Sequence, residues 1–221
     1  MKEHIKKLLD NDLREDGRKL LEYRKNIKVE YGISPKSAEG SAQVTIGDTV
    51  VVAGVKFGVG TPFPDTPDEG VMIVGAELIP FSSPDFESGP PSIVAIELSR
   101  VVDRAIRESG CLDTKKLCIK KGEVVWTVFV DMYPLNDDGN LFDAMSLAAI
   151  AAMKDAKFPD YDKKTGKVNY TKRTKTGLPL KGTPLECTVI KIKDKLLLDP
   201  SVEEWKALDA RLTVGFLDNG N

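Results

Sequence analysis

Apolar positions along the chain switch between helical and alternating spacing, and the switches set the expected order of elements. Ile5, Leu8, Leu9 and Leu13 share one side of a helical wheel, which predicts a short amphipathic helix over residues 1–13. The polar run Arg14 to Arg18 reads as a turn. Ile27, Val29 and Tyr31 alternate with polar residues, as a half-buried strand should. From Glu39 to Gly60 the β signal is clearest: Ala42, Val44 and Ile46 alternate, Gly47-Asp48 turns the chain, and Val50 to Val55 returns as a nearly continuous apolar strand. Gly58 to Gly70 holds three prolines and is expected to be a loop. Val71 to Pro80 predicts a strand and Phe81 to Pro91 a second loop.

Pro90-Pro91 and Ser92 announce a helix that runs to about Ser109 and stops at Gly110. Ile93, Ile96, Val101 and Ile106 supply its expected core stripe, and Glu97, Arg100, Arg104 and Arg107 an exposed ridge. Leu117 to Ile119 and Val124 to Tyr133 read as strands, with Trp126, Phe129 and Tyr133 expected in the core. Leu141 to Asp155 is an Ala-rich helix suited to close packing on a sheet. Residues 156–182 are polar and basic, a hairpin or loop. Cys187 to Lys193 and Lys195 to Leu198 form a hairpin, Asp199 to Leu208 a turn, and Ala210 to Phe216 a last strand. Strands, helix, strands, helix, strands give an α+β fold of two β-rich halves, each with packed helices.

Composition narrows the chemistry. The 221 residues are enough for a proper core, and 41 % are apolar. With 32 basic against 34 acidic residues, no global positive field draws in nucleic acid, so any RNA or DNA contact must come from a local cluster. The only histidine is His4, which excludes His-based catalysis and His-rich metal sites. Cys111, Cys118 and Cys187 have no disulfide-like or zinc-like spacing and are expected as free thiols of a reducing cytoplasm. No apolar run approaches the roughly 18 residues of a membrane span, and no signal peptide is seen, so a soluble, cytoplasmic chain without membrane contact is expected.

The segment Asp137-Asp138-Gly139-Asn140-Leu141-Phe142 leads from an acidic Gly turn straight into the Ala-rich helix. Free backbone N–H groups and the positive helix end make such a place an anion pocket. This turn lacks the rest of one: it has a single glycine, no Ser or Thr hydroxyl, and no Arg or Lys.

Asp16-Gly17-Arg18, the strand Gly40-Ser41-Ala42-x-Val44-x-Ile46-Gly47-Asp48-Thr49-x-Val51, the arginine-bearing helix, the Gly turn before an Ala-rich helix and the acidic segment at Asp199 occur in an order that resembles the ribonuclease PH family. The resemblance covers about residues 14–217. Glu97 to Arg104 and Leu196 to Glu204 look most like the non-catalytic ring subunit of the archaeal RNA exosome. It implies the ribonuclease PH fold, similar to the second domain of ribosomal S5-type proteins. Residues 1–30 would then be an N-terminal helix and arm, and residues 31–221 the ribonuclease PH-like domain. The family's further strand and long C-terminal helix would follow Asn221 and are not in this sequence.

Enzymes of that family shorten RNA from its 3′ end with inorganic phosphate as nucleophile. They need donors for the phosphate and acids to manage protons or a divalent ion. Carried onto this chain, the phosphate turn is Asn140, Leu141 and Phe142, with Leu141 in place of a hydroxyl and Phe142 in place of an arginine. The acidic pair becomes Asp199 and Trp205. Losing one oxyanion-type donor costs about 2.7–4 kcal/mol, so the chain is expected to have no catalytic residue, metal or cofactor of its own. Phosphate and any divalent ion are expected in the partner subunit.

The implied partners are a catalytic ribonuclease PH-type paralogue, three heterodimers closing a hexameric ring, RNA-binding cap subunits, and single-stranded RNA. Arg100 and Arg104, and less strongly Arg107, are the expected RNA contacts: a four-residue helical step rises about 6 Å, close to the phosphate spacing of an extended strand. Asp199 is expected to be structural, and Asp16 to Arg18 to hold the N-terminal segment against a neighbour or the RNA rim. Lys163, Lys164, Lys167, Lys172, Arg173 and Lys175 form a candidate nucleic-acid patch whose commoner reading is a solvated loop. Two rival functions remain open, an active phosphate-dependent exoribonuclease and an unrelated enzyme or ribosome-associated protein on the same fold.

Overall fold

A computed structural model describes residues 2–217; Met1 of the expected first helix and residues 218–221 at the end of the expected domain lie outside the described residues. The order is α1 (Lys2–Leu9), β1 (Ile27–Tyr31), β2 (Gly40–Ile46), β3 (Thr49–Gly60), β4 (Val71–Ala76), α2 (Ile93–Glu108), β5 (Cys118–Lys120), β6 (Val124–Asn136), α3 (Leu141–Asp155), β7 (Lys157–Asp162), β8 (Lys167–Gly177), β9 (Pro184–Ile192), β10 (Lys195–Leu198), α4 (Val202–Ala207) and β11 (Ala210–Leu217). The expected α+β class holds.

One sheet runs β1-β2-β3-β6-β4, with β5 also on β6; β4 and β6 are parallel and the other pairs antiparallel. A second runs β10-β9-β11, and β7 pairs with β8 alone. Both long helices lie between the two larger sheets: α3 packs on β2, β3 and β6 on one side and on β9 on the other, and α2 spans β4 and β9. α3 is buried almost all round, and that is why its sequence is mostly Ala and other apolar residues rather than striped. Its close approach needs Gly40, where a Cβ would run into the Ala152 carbonyl oxygen and the Ala156 backbone.

Several sequence expectations are corrected. The first helix stops at Leu9, because Asp10-Asn11-Asp12 turns the chain with Asp12 at φ 55°, and Leu13 is left exposed. The stripe of α2 is Ala95, Leu98, Val102 and Ile106; Ile93 and Ile96 point outward from its first turns. Phe129 and Tyr133 share the outer parity of β6, while Val128, Val130 and Met132 face the core with Trp126, so only Trp126 of the three aromatics is core. Ile27 and Tyr31 are exposed because β1 is an edge strand. Asp199 to Leu208 is not simply a turn: it contains α4, started by a capping box in which Ser201 Oγ accepts from the Glu204 N–H and Glu204 accepts from the Ser201 N–H. Residues 156–182 resolve into the hairpin β7–β8.

Candidate functional site

The acidic Gly turn, the end of β10 and residues 14–24 converge at the N-terminus of α3. Gly139 has φ 93°, and a Cβ there would collide with the Pro200 carbonyl oxygen, so only glycine lets the turn lie against the Asp199–Ser201 backbone. Asn140 follows in the left-handed conformation at φ 56°. Its Nδ2 donates to Asp143 Oδ2 and to Asp199 Oδ1, both at 2.9 Å.

Asp199 is fully buried. Its Oδ2 accepts from Arg18 Nη1 (2.9 Å), the Arg24 N–H (2.8 Å) and Arg24 Nε (2.9 Å), and its Oδ1 from Arg24 Nη2 (2.8 Å) besides Asn140. Burial alone would raise this acid, but the Arg24 hydrogen bonds and charge outweigh it and hold the carboxyl below its ordinary value. An ionised group with five donors has no free lone pair for a metal or a proton, and it ties the start of the chain, the Gly turn and the end of β10 together. Arg24 goes on to Asp138 Oδ2 and the Gly139 carbonyl oxygen, tying the turn to the same centre.

Arg14 and Arg24, which sequence reasoning left without a role, thus belong to the site's frame. Arg14 is buried and forks onto Glu204 of α4 (Nε–Oε1 2.8 Å, Nη2–Oε2 2.6 Å). Nothing in the local pattern could have marked these contacts, because their partners lie some 180 residues further along the chain. Arg18 serves the same centre within its own chain, bonded to Asp16 and Asp199.

The two departures from the enzyme pattern are in contact. Phe142 is buried and stacks on Trp205 with centroids 5.6 Å apart and planes 24° apart. The Arg211 guanidinium lies 4.1 Å from the Phe142 ring and 5.5 Å from that of Trp205, and pairs with Glu97 of α2. They therefore form one packing unit. Leu141 is buried beside them.

The cavity in front of the turn, of about 140 Å³, is lined by Asp85, Asp137, Leu141, Phe142, Trp205 and Lys206 among others. Its one cation, Lys206, is bound to Asp85 at 2.8 Å. A phosphate there would meet aromatic rings and two carboxylates, with no unengaged cation to receive it. The residues present do not fit that anion. Among the described residues no three His, Cys, Asp or Glu side chains gather in a metal-holding group.

On α2, Arg100 and Arg104 are exposed as expected. Arg100 has no ion-pair partner among the described residues, and Arg104 reaches only Glu108, at 3.4 Å. Arg107 is committed elsewhere: it forks onto Asp103 (2.7 and 3.0 Å) and donates to the Met72 carbonyl oxygen.

Glu186, on β9, is buried with Oε2 unpartnered among the described residues. Burial and then the charge of Asp143 push its carboxyl up to about 8 from an ordinary 4.5, against the pull of Arg211. Between those values the folded chain holds a proton that the unfolded chain has released. Its contribution to stability is complete below the unfolded pKa and is lost as pH rises through the folded one. The loss is on the order of 1 kcal/mol per pH unit. Glu186→Gln should remove this slope, so thermal melts at pH 5 and pH 8 should show the variant gaining on the parent at pH 8. Equal slopes would refute the assignment.

The model of the 3′ exoribonuclease family, domain 1, matches residues 23–159, and that of domain 2 matches residues 182–221. The exosome complex component Rrp42 of Methanocella arvoryzae is 50 % identical over 213 residues, which cover 96 % of this chain and 78 % of the relative. Rrp42 of Methanothermobacter thermautotrophicus is 45 % identical over 217 residues, covering 98 % and 79 %. Among solved structures, a chain of the Archaeoglobus fulgidus exosome with RNA bound to the active site superposes with a TM-score of 0.89 at 45 % identity, covering 99 % of this chain and 82 % of that one. A chain of an archaeal exosome core gives 0.84 at 41 %, covering 99 % and 80 %. With both domain models matched in order, the chain belongs to the 3′ exoribonuclease family.

Proposed function

We propose that this chain is a non-catalytic ring component of an archaeal-type RNA exosome. It pairs with a catalytic paralogue of its own family, three such pairs closing a hexameric ring under RNA-binding cap subunits in the cytoplasm. It orders the paralogue's active site and lends Arg100 and Arg104 to hold the single-stranded RNA that the paralogue degrades from the 3′ end. The observation that carries this reading is the cavity before α3, where the Phe142–Trp205 stack, Asp85 and Asp137 occupy the place a phosphate would need. Relatives named as exosome components at 45–50 % identity support the assembly role. They give no support to an unrelated enzyme or a ribosome-associated protein.

The test is to purify the chain alone and mixed with its paralogue. Alone it should show no phosphate-dependent shortening of RNA; mixed, the two should sediment as a ring and degrade RNA. Phosphorolysis by the isolated chain, or failure to form a mixed particle, would overturn the reading.

A further inference from the structure

The hairpin β7–β8 leaves the far end of α3, about 20 Å of helix away from the Asn140 turn. Its root is fixed. Phe158 packs on Phe57 and Trp126 with centroids 4.6 and 5.4 Å away, Tyr161 meets Trp126 at 5.7 Å, and the Arg173 guanidinium donates to the Pro35 and Ala38 carbonyl oxygens. Beyond the root the ribbon is exposed and lysine-rich. Residues 157–177 hold seven Lys and Arg against two Asp, whereas the remainder of the chain holds 25 against 32. Lys172 pairs with Asp160, but Lys163, Lys164, Lys167 and Lys175 reach no carboxylate among the described residues. Many exposed lysines elsewhere do, such as Lys28, Lys120, Lys193 and Lys206.

The geometry points to the β7–β8 ribbon as a second RNA-contacting surface, one that grips the backbone of single-stranded RNA without regard to sequence. This rests on the reading of the chain as an RNA-handling ring component, and adds a site apart from α2. Protein–protein interface cores are depleted in lysine and enriched in apolar and aromatic groups, and the ribbon has the opposite make-up. From Lys167 to Lys175 the strand spans roughly 25 Å, a few phosphate spacings. The hydroxyls of Thr174 and Thr176 supply further donors along it, while those of Thr165 and Thr171 are already given to Asp162 and Asn169. Tyr170, exposed and under the Lys56 ammonium at 5.3 Å, offers a face for a base to stack. A base held in a duplex is not free to stack on Tyr170, so an unpaired strand is the substrate form that fits.

The experiment uses the assembled ring with its paralogue and an unstructured RNA of about 30 nucleotides, with Kd measured by fluorescence anisotropy over a range of salt. Replacing Lys163, Lys164, Lys167 and Lys175 together with Glu should raise Kd about tenfold or more and reduce the slope of log K against log salt by about 2 to 3. The same four changed to Gln should shift both in the same direction by less, and decide the matter if the Glu variant does not assemble. A ring carrying R100E and R104E separates the two readings: if it handles RNA normally while the lysine variants bind poorly, the ribbon stands and the α2 contact falls. Unchanged Kd and slope in an assembled lysine variant would overturn the proposal. Failure of both the Glu and Gln variants to form a ring would also overturn it, making the ribbon a subunit contact instead.

Discussion

Reversing Arg100 and Arg104 to Glu should slow RNA degradation by the mixed ring about a hundredfold or more, with the ring itself intact. The argument begins with what these side chains do not touch. Arg100 has no ion-pair partner among the described residues, and Arg104 has one loose contact on the same helix. Their donors are unspent, so a phosphate can take them without first displacing a carboxylate. A hydrogen bond to a charged group contributes about 1.5–3 kcal/mol, and two such grips lost and replaced by repulsion reach a hundredfold at about 1.4 kcal/mol per decade. Arg107 supplies the contrast. Its fork is already closed on Asp103 and Met72, so Arg107→Glu should cost no more than about fivefold, the scale of one exposed ion pair. Exposed positions on a helix face carry little folding energy, and melting should move by less than about 0.5 kcal/mol. Rate measurements on the parent, the R100E/R104E and the R107E rings decide it: equal losses in the two variants, or no loss in either, would sink the contact on α2.

Glu204→Ala should lower the unfolding free energy by about 3–5 kcal/mol, a large share of the roughly 5–15 kcal/mol of an ordinary domain. The Arg14 guanidinium is fully buried and Glu204 almost so. Removing the carboxylate leaves a positive charge inside the protein hydrogen-bonded only to carbonyl oxygens, those of Lys19, Glu22, Leu198 and Asp199. It also strips the capping box of α4. Replacing both partners by apolar residues, as in R14M/E204L, should recover most of the loss, because the cost comes from the orphaned charge more than from the missing attraction. Recovery should stop short of the parent, since the Leu198 and Asp199 carbonyls lose their donor. Denaturant midpoints of parent, single and double variants test the sequence of effects. A single variant within about 1 kcal/mol of the parent would show that the guanidinium finds water instead.

The elements that carry their own signals were legible. α2 and α3 could be placed because Ser92, Gly110 and an unbroken Ala-rich run are local marks of where a helix begins and ends. α4 carried such a mark too, Ser201 with Glu204 three residues on, but its six residues offer too little periodicity to stand out. On β6 the residue type misled: Phe129 and Tyr133 look like core, yet strand parity sends them to the outer face. For the site, the motif order exposed Asn140, Leu141, Phe142, Asp199 and Trp205 as one group. It could not show that Phe142 and Trp205 touch, or that Arg14, Arg18 and Arg24 converge on Asp199 and Glu204. Those contacts bridge 63 to 190 residues and leave no trace in local spacing.

The same separation bears on how the chain comes off the ribosome. Arg14, Arg18 and Arg24 emerge long before Asp199 and Glu204, the buried acids on which they converge. At about 5–20 residues per second the wait is roughly 10–40 s. Throughout it the opening segment has nowhere to dock, and α1 lacks the strands and α4 that would cover Ile5 and Leu9. The nascent chain therefore exposes Ile5 and Leu9 until β9, β10 and α4 have been made, and docking of α1 is expected to be a late step of maturation.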